Sequence, residues 1–380
     1  MTAPSNAVRL LVGGVEFGGW KSVAIQGGIE RQVRDFDLTI TNSWPGDTEI
    51  PRRVRPGDPC EVYIGSDKVL TGHVDATPIS YDGKSVSVGV RGRSKTGDLV
   101  DCAAINQPGQ WRAAKLERIA ADLAKPYGVG IATQVDTGAP MTHAIEQGET
   151  VSESIERMLK LRQQLATDDA LGRLVFIEVG SAGRATTALE LGKNILKCEA
   201  PLDYKDVFTE YIVKGQRPGS DEEYGDTVAE ETASITDDTI ARRRVLMIKQ
   251  GGESTSSTAL ERVRYERAHR RAVALATTYT VVGWRQEDGA LWLHNMLVRV
   301  RDPMVGFDDE FVIAEIQYQL SDAGMFCILK VGPKDGYVNK PSKKKKGKGG
   351  ADADWSDVQP ADGRKVITNK PTNEFGDIKR

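Results

Sequence analysis

Residues 281–300 read VVGWRQEDGALWLHNMLVRV and hold two of the chain's six tryptophans, one of its four histidines and an Asp-Gly pair. Asp288-Gly289 is a strong turn signal, since both residues tolerate the left-handed backbone that a tight hairpin needs. The spacing predicts an incoming strand YTVVGWRQ and an outgoing strand ALWLHNMLVRV, with Trp292, His294, Met296, Val298 and Val300 alternating onto one face. Trp284 and Trp292 flank the turn, where aromatic cross-strand neighbours stabilise a hairpin. His294 lacks a histidine, cysteine or acidic pair at ligand or triad spacing. The stretch therefore reads as a hairpin of a β domain, with His294 a structural residue.

The same pattern governs the N-terminal region. In VRDFDLTITNS, Phe36, Leu38 and Ile40 share one side of a strand. CEVYI, VLTGHVDAT and SVSVGVRGR follow as strands separated by PGDP, GSDK and Asp82-Gly83. Closely spaced short strands predict a small antiparallel barrel or sandwich.

The middle of the chain changes character. Leu116, Ile119, Ala120 and Leu123 recur at helical spacing before Pro126. A second helix is expected to begin at Thr150, whose hydroxyl caps the first turn while Glu153 reaches back. RLVFIEV and TALEL follow as strands, and Asp168-Asp169 reads as the stop at a helix end. Beyond residue 201 strands return. They are interrupted by an acidic stretch, PGSDEEYGDTVAEETASITDD, read as a loop, and by a helix near Thr258–Ala276. That helix carries Arg262, Arg264, Arg267, Arg270 and Arg271. A solvated face with some subunit contacts is the simpler reading, beside a basic patch for phosphate or an acidic partner.

The expected fold class is a β-rich α+β, multidomain chain: two similar small antiparallel β-barrel domains flanking an α+β domain, with a charged C-terminal tail. The predicted boundaries are 1–108, 109–200, 201–336 and 337–380. Two internal matches suggest the duplication: residues 30–44 laid over 203–217, and 69–93 laid over 311–333. The tail is lysine-rich at Lys343, Lys344, Lys345 and Lys346, then acidic, and cannot bury a core of its own. Trp355 and Phe375 give its far end something to bury on a partner, so it reads either as a tether or as a solubilising tail.

Composition narrows the function. The net charge of −3 argues against a dedicated nucleic-acid binder, which needs a basic surplus for phosphate. Cys60, Cys102, Cys198 and Cys327 lie outside metal-knuckle or CxxC spacing, and read as small buried or half-buried thiols. The start lacks a signal-peptide apolar core and no run approaches the ~20 apolar residues that span a bilayer, so assembly in cytoplasm is expected. Phosphate-loop, dinucleotide, nucleophile-elbow and zincin motifs are missing, so no catalytic, cofactor or metal site is expected. The remaining enzymatic alternative is a cell-wall hydrolase or glycan-binding module with a carboxylate pair in the central unit.

The segment from Val281 to Pro333 carries a resemblance. The G-W-R of Gly283–Arg285, the G-x-L-W-x-x-N from Gly289 to Asn295, the alternating Val298 and Val300, and Asp302-Pro303 are similar to the C-terminal part of baseplate hub proteins of Mu-like contractile-tailed phages. VEFGGWKSVAIQGGIERQVRDFDLTIT and PGDPCEVYIGSDKVLTGHVDA resemble that family's opening barrel, so the likeness covers nearly all of residues 7–337. The family is related to the T4-type baseplate hub and to the base of the type VI secretion spike protein. It implies a homotrimer in which each chain gives two similar barrels. Six units then meet the six-fold tail tube, and three-fold symmetry meets the membrane-piercing spike. The implied partners are the chain itself, a trimeric spike protein, a tube or tube-initiator protein and the baseplate wedges, in the virion. Trp284, Arg285, Trp292 and Asn295 would then serve interface or hairpin packing, and the Lys343–Lys346 run with Trp355 and Phe375 a partner tether.

Overall fold

The computed structural model describes residues 6–43, 54–83, 85–216, 230–253 and 256–337. Eight strands come first: β1 (Val8–Val12), β2 (Val15–Phe17), β3 (Ser22–Gly28), β4 (Asp35–Ser43), β5 (Pro59–Ile64), β6 (Asp67–Ala76), β7 (Ile79–Tyr81) and β8 (Ser85–Ser94). The central region holds α1 (Gly97–Asp101), β9 (Gln110–Ala114), α2 (Leu116–Ala124), β10 (Ile131–Thr133), β11 (Met141–Ala144), α3 (Val151–Arg162), β12 (Leu165–Asp168) and β13 (Leu174–Ile177). Then come β14 (Leu189–Glu190), β15 (Ile195–Glu199), β16 (Glu210–Gln216), β17 (Glu230–Thr236), β18 (Val245–Glu253) and α4 (Ser256–Leu275). The chain closes on β19 (Thr277–Val282), β20 (Leu297–Asp302), β21 (Phe307–Ser321) and β22 (Gly324–Gly332).

Strict alternation builds the main sheet. Burial in β1, β3 and β5 alternates, with Leu10, Ile25 and Val62 inward, as a strand with one covered face requires. The hairpins read from turn residues form: β5 pairs β6 across the Gly65 turn, and β7 pairs β8 with Tyr81 opposite Val86.

The two β regions are not separate. Antiparallel pairing of β3 with β21, Gln26 opposite Gln317, joins the N-terminal strands to the C-terminal ones in a single 14-stranded sheet. One apolar core runs under both, from Leu10 and Leu38 to Val298 and Leu329. Of the expected architecture the coarser part is shown: among the described residues the fold is strand-rich with four helices, and its strands run on into one large sheet that does not close into a hydrogen-bonded ring. The physical reason is edge satisfaction, because β3 and β21 would otherwise each leave a row of unpaired N–H and C=O groups. The overlay of 69–93 on 311–333 keeps its layout, since β6 pairs β8 and β21 pairs β22, both antiparallel. The overlay of 30–44 on 203–217 does not, because β4 is central to the large sheet while β16 lies in a separate sheet, β17-β16-β18.

The central helices form where periodicity places them. In α2, Leu116, Ile119, Ala120 and Leu123 are buried. At α3 the capping box is complete: the Thr150 hydroxyl accepts from the Glu153 N–H at 3.2 Å, and the Glu153 carboxylate accepts from the Thr150 N–H at 2.8 Å. Both helices share a second core with Leu174 and Phe176 of the three-stranded sheet β10-β13-β12. A smaller apolar cluster, with Ile29, Val175, Ile177, Val312 and Ala314, joins this central unit to the large sheet.

The stretch expected as an acidic loop is partly strand. From Glu230 to Thr236 it pairs with β16 as β17, because Ala233 and Ile235 pack against the small core of Tyr211, Val213, Ala259 and Val263. Residues 218–229 lie outside the described residues, as do Lys343–Lys346, Trp355 and Phe375.

Candidate functional site

Residues 281–300 form a hairpin only close to the turn, and the long strands expected on either side do not pair with each other. β19 ends at Val282 and pairs with β15 and β22, whereas β20 begins at Leu297 and pairs with β14 and β21. Between them the two arms pair only briefly, at the bridge Arg285–Leu291, at the Gln286 N–H bond to the Ala290 carbonyl (2.7 Å) and at the Trp292 N–H bond to the Trp284 carbonyl (3.1 Å). Positive φ at Gly283 (71°) and Asn295 (66°) turns the chain out of the strand direction at each end. The turn at Asp288-Gly289 is real, but the strands it was expected to join diverge.

The segment works instead as a clasp across the fold. Trp284 is fully buried, and its Nε1 donates to the carbonyls of Gln319 (3.2 Å) and Phe326 (2.9 Å), tying β21 to β22. Its ring stands edge-on to Tyr318, whose hydroxyl donates to the Trp292 carbonyl. Arg285 reaches the N-terminal strands: Nη2 donates to the Ile64 carbonyl at 3.1 Å and lies 2.8 Å from an Asp67 carboxylate oxygen, while Nε donates to Asn6 at 2.9 Å. Asn295 reaches the central unit, accepting from the Gly180 N–H (2.6 Å) and donating to the Glu178 carbonyl and the Ser181 hydroxyl (both 3.0 Å). Gln286 accepts from the Thr186 backbone at 2.8 Å. The four residues singled out in the sequence thus face inward: the two tryptophans into one core, Arg285 toward the N-terminal strands and Asn295 toward the central unit.

His294 is half-buried, and its Nε2 lies 3.2 Å from Nη2 of Arg34. Desolvation, helped by the Arg34 charge, pushes its pKa down to about 3, so the ring is neutral and accepts from the guanidinium. Asp168, expected at a helix end, is the last residue of β12 and is buried against Arg34 at 3.5 Å. Burial raises its pKa against the opposing effects of Arg34 and Ser94. Asp169 alone makes the turn, accepting the N–H groups of Leu171 and Arg173. Sequence reasoning missed Arg34 altogether, because an arginine leading into a strand carries no local signal of burial.

The arginine helix is not one basic patch. Arg262 and Arg270 both pair with the buried Glu266, at 2.6 and 3.1 Å, and Arg270 also lies over the Phe208 ring. Arg264 and Arg271 remain exposed. All four cysteines are free thiols, Cys60 and Cys327 buried, Cys102 and Cys198 half-buried.

Clefts border the central unit. One, of about 400 Å³, is lined by Ala104–Gly109, Gln110, Ala144 and Ile145, which carry no ionisable side chain. Another, of about 530 Å³, includes Asp136, Glu178 and Asp335. All three carboxylates belong to exposed residues. Among the described residues no three His, Cys, Asp or Glu side chains gather as a metal site, and no helix is long and apolar enough to cross a membrane.

Comparisons with known proteins agree with one another. Family models match residues 7–94 as Mu phage baseplate assembly protein GpP-like, N-terminal; residues 96–178 as baseplate hub protein gp44-like, second domain; and residues 255–340 as GpP, fourth domain. The chain is 32% identical to baseplate hub protein gp44 of Escherichia phage Mu, covering 92% of this chain and 93% of that one. Among solved structures, the 43 kDa tail protein of prophage MuSo2 from Shewanella oneidensis superposes with a TM-score of 0.79 at 32% identity, covering 88% of this chain and all of that one. The tail protein from Neisseria meningitidis MC58 shares the fold, with a TM-score of 0.71 at 22% identity over 88% of this chain and 98% of that one. With its 14-stranded sheet, its helical central unit and this extent of identity to gp44, the chain belongs to the baseplate hub proteins of Mu-like phages, structural components of the phage tail.

Proposed function

We propose that the chain is a homotrimeric symmetry adaptor that joins a six-fold tail tube to a three-fold spike. The observation that carries this reading is the pairing of β3 with β21, which fixes an N-terminal and a C-terminal antiparallel unit side by side in one sheet. Three copies of such a chain offer six comparable units on one face while keeping three-fold symmetry on the other. A six-fold and a three-fold assembly can share an axis only through an object with both repeats.

In this reading residues 1–108 and 201–336 supply the two tube-like barrel units, closed by neighbouring chains, and residues 109–200 the α+β domain. Arg285 links the C-terminal unit to the N-terminal strands, Asn295 links it to the central unit, and Trp284 and Trp292 pack its core, so the four support the ring from inside. The partners are the trimeric spike, the tube or its initiator, and the wedge proteins, assembled in the host cytoplasm and carried in the virion. The role is binding, without catalysis. Residues 338–380, with Lys343–Lys346, Trp355 and Phe375, tether the spike, and deleting them abolishes spike attachment in a pull-down; full retention contradicts the tether.

Light scattering after gel filtration tests the oligomer. The reading expects a mass about three times the 41.5 kDa chain for the protein alone, or three chains in each complex, beyond the mass of the spike, once spike is added. A monomer that persists with spike present overturns it.

A further inference from the structure

Beyond the adaptor role, we propose that Arg34, Asp168 and His294 form a buried electrostatic lock that sets how the central unit seats on the large sheet. One guanidinium serves three chain segments. Arg34 Nη1 donates to the Val69 carbonyl of β6 at 2.7 Å, and Nη2 donates to the Asp168 carbonyl at the end of β12 at 3.0 Å. Nη2 also faces Nε2 of His294, on the clasp, at 3.2 Å. The Asp168 carboxylate lies 3.5 Å from Nε, with its side chain only 1% exposed.

The remaining contacts across this joint do not define a position so sharply. The apolar cluster of Ile29, Val175, Ile177 and Val312 is non-directional and tolerates sliding. The hydrogen bonds between neutral groups that cross it, Thr167 to the Gly28 carbonyl and Thr71 to the Ala170 carbonyl (both 2.8 Å), Ser152 to Gln32 (2.9 Å) and those of Asn295 to Glu178, Gly180 and Ser181, cost less to break than stranding a charge does. Any other seating strands a buried carboxylate and a buried guanidinium, the costliest event in such an interior. Gly27 makes room for the lock, since a Cβ there meets Arg34 Nε at 3.3 Å and His294 Cδ2 at 3.5 Å.

The lock is a poor source of stability. Neither Asp168 carboxylate oxygen has a close hydrogen-bond donor, and Arg34 Nε and His294 Nδ1 also lack partners. A buried pair satisfied this incompletely recovers little of its desolvation, so it acts on specificity of seating rather than on net stability. Arg34, Asp168 and His294 are positioning residues on this account.

The test separates these two roles in the full-length chain. Arg34→Met and Asp168→Leu singly lower the melting temperature, each leaving a buried charge alone. The double variant Arg34→Met/Asp168→Leu recovers the wild-type melting temperature or exceeds it. Its amides in 165–179 and 28–34 nevertheless exchange hydrogen at least ten-fold faster than wild type, while those of β5 are unchanged. A double variant with wild-type exchange, or singles that melt as wild type, overturns the proposal. Should the double variant fail to fold, Asp168→Asn decides: faster exchange confined to those two segments supports the lock, and no change or a uniform rise across the chain overturns it.

Discussion

At the scale of single residues, the tryptophans and arginines do more than their local pattern announces. Trp284 fills the core and ties two strands by its indole N–H, so Trp284→Ala removes packing and leaves the Gln319 and Phe326 carbonyls without their donor. The expected loss is about 3–5 kcal/mol, read by denaturant unfolding. A loss under 1 kcal/mol, on the order of a surface substitution, contradicts the clasp. His294 gives a pH signature. Its pKa falls from 6.5 to about 3 on folding, so the unfolded chain binds the proton first. Stability contributed by the neutral ring is complete above pH 6.5 and is lost as pH falls through the window down to about 3. The slope reaches up to about 1.4 kcal/mol per pH unit. In His294→Gln that contribution is gone, so its stability between pH 6.5 and 4 declines less steeply than wild type. Parallel profiles measured by urea unfolding would show that His294 titrates freely.

Elements were legible in proportion to how locally they are determined. The α3 start was readable because capping is a matter of four consecutive residues, Thr150 to Glu153. Thr150→Ala is expected to cost about 1 kcal/mol in thermal or chemical unfolding, and a null result would mean that tertiary packing alone holds the turn. The β5–β6 and β7–β8 turns were readable for the same reason. The 281–300 segment was misread because its alternation and Asp-Gly turn imitate a long hairpin, while the partners of β19 and β20 are chosen by distant strands. Residues 230–236 looked too polar for structure, yet β17 is an edge strand with one face in water and needs only Ala233 and Ile235 inward. In the site, Trp284 and Trp292 stood out by type, whereas Arg34 and Asp168 owe their roles to contacts across 134 residues of chain. No local pattern encodes such a contact.

At the scale of the whole molecule, the β3–β21 junction joins in one sheet two β regions that the sequence reads as belonging to separate domains. Gln26→Pro in β3, a strand bonded on both sides, removes a ladder bond in the middle of the sheet. The expected outcome is exposure of the core beneath and, on the proposed function, loss of the trimer, checked by dye binding and gel filtration. Retention of a wild-type trimer would show that the junction does not organise the ring. The most direct test of the account is an image of the assembled hub by electron cryomicroscopy, viewed down its axis. The account predicts three chains arranged as six similar β units at the tube-facing end and three-fold density at the other. A two-fold dimer, or a ring of six chains with one β unit each at the inner wall, would contradict it.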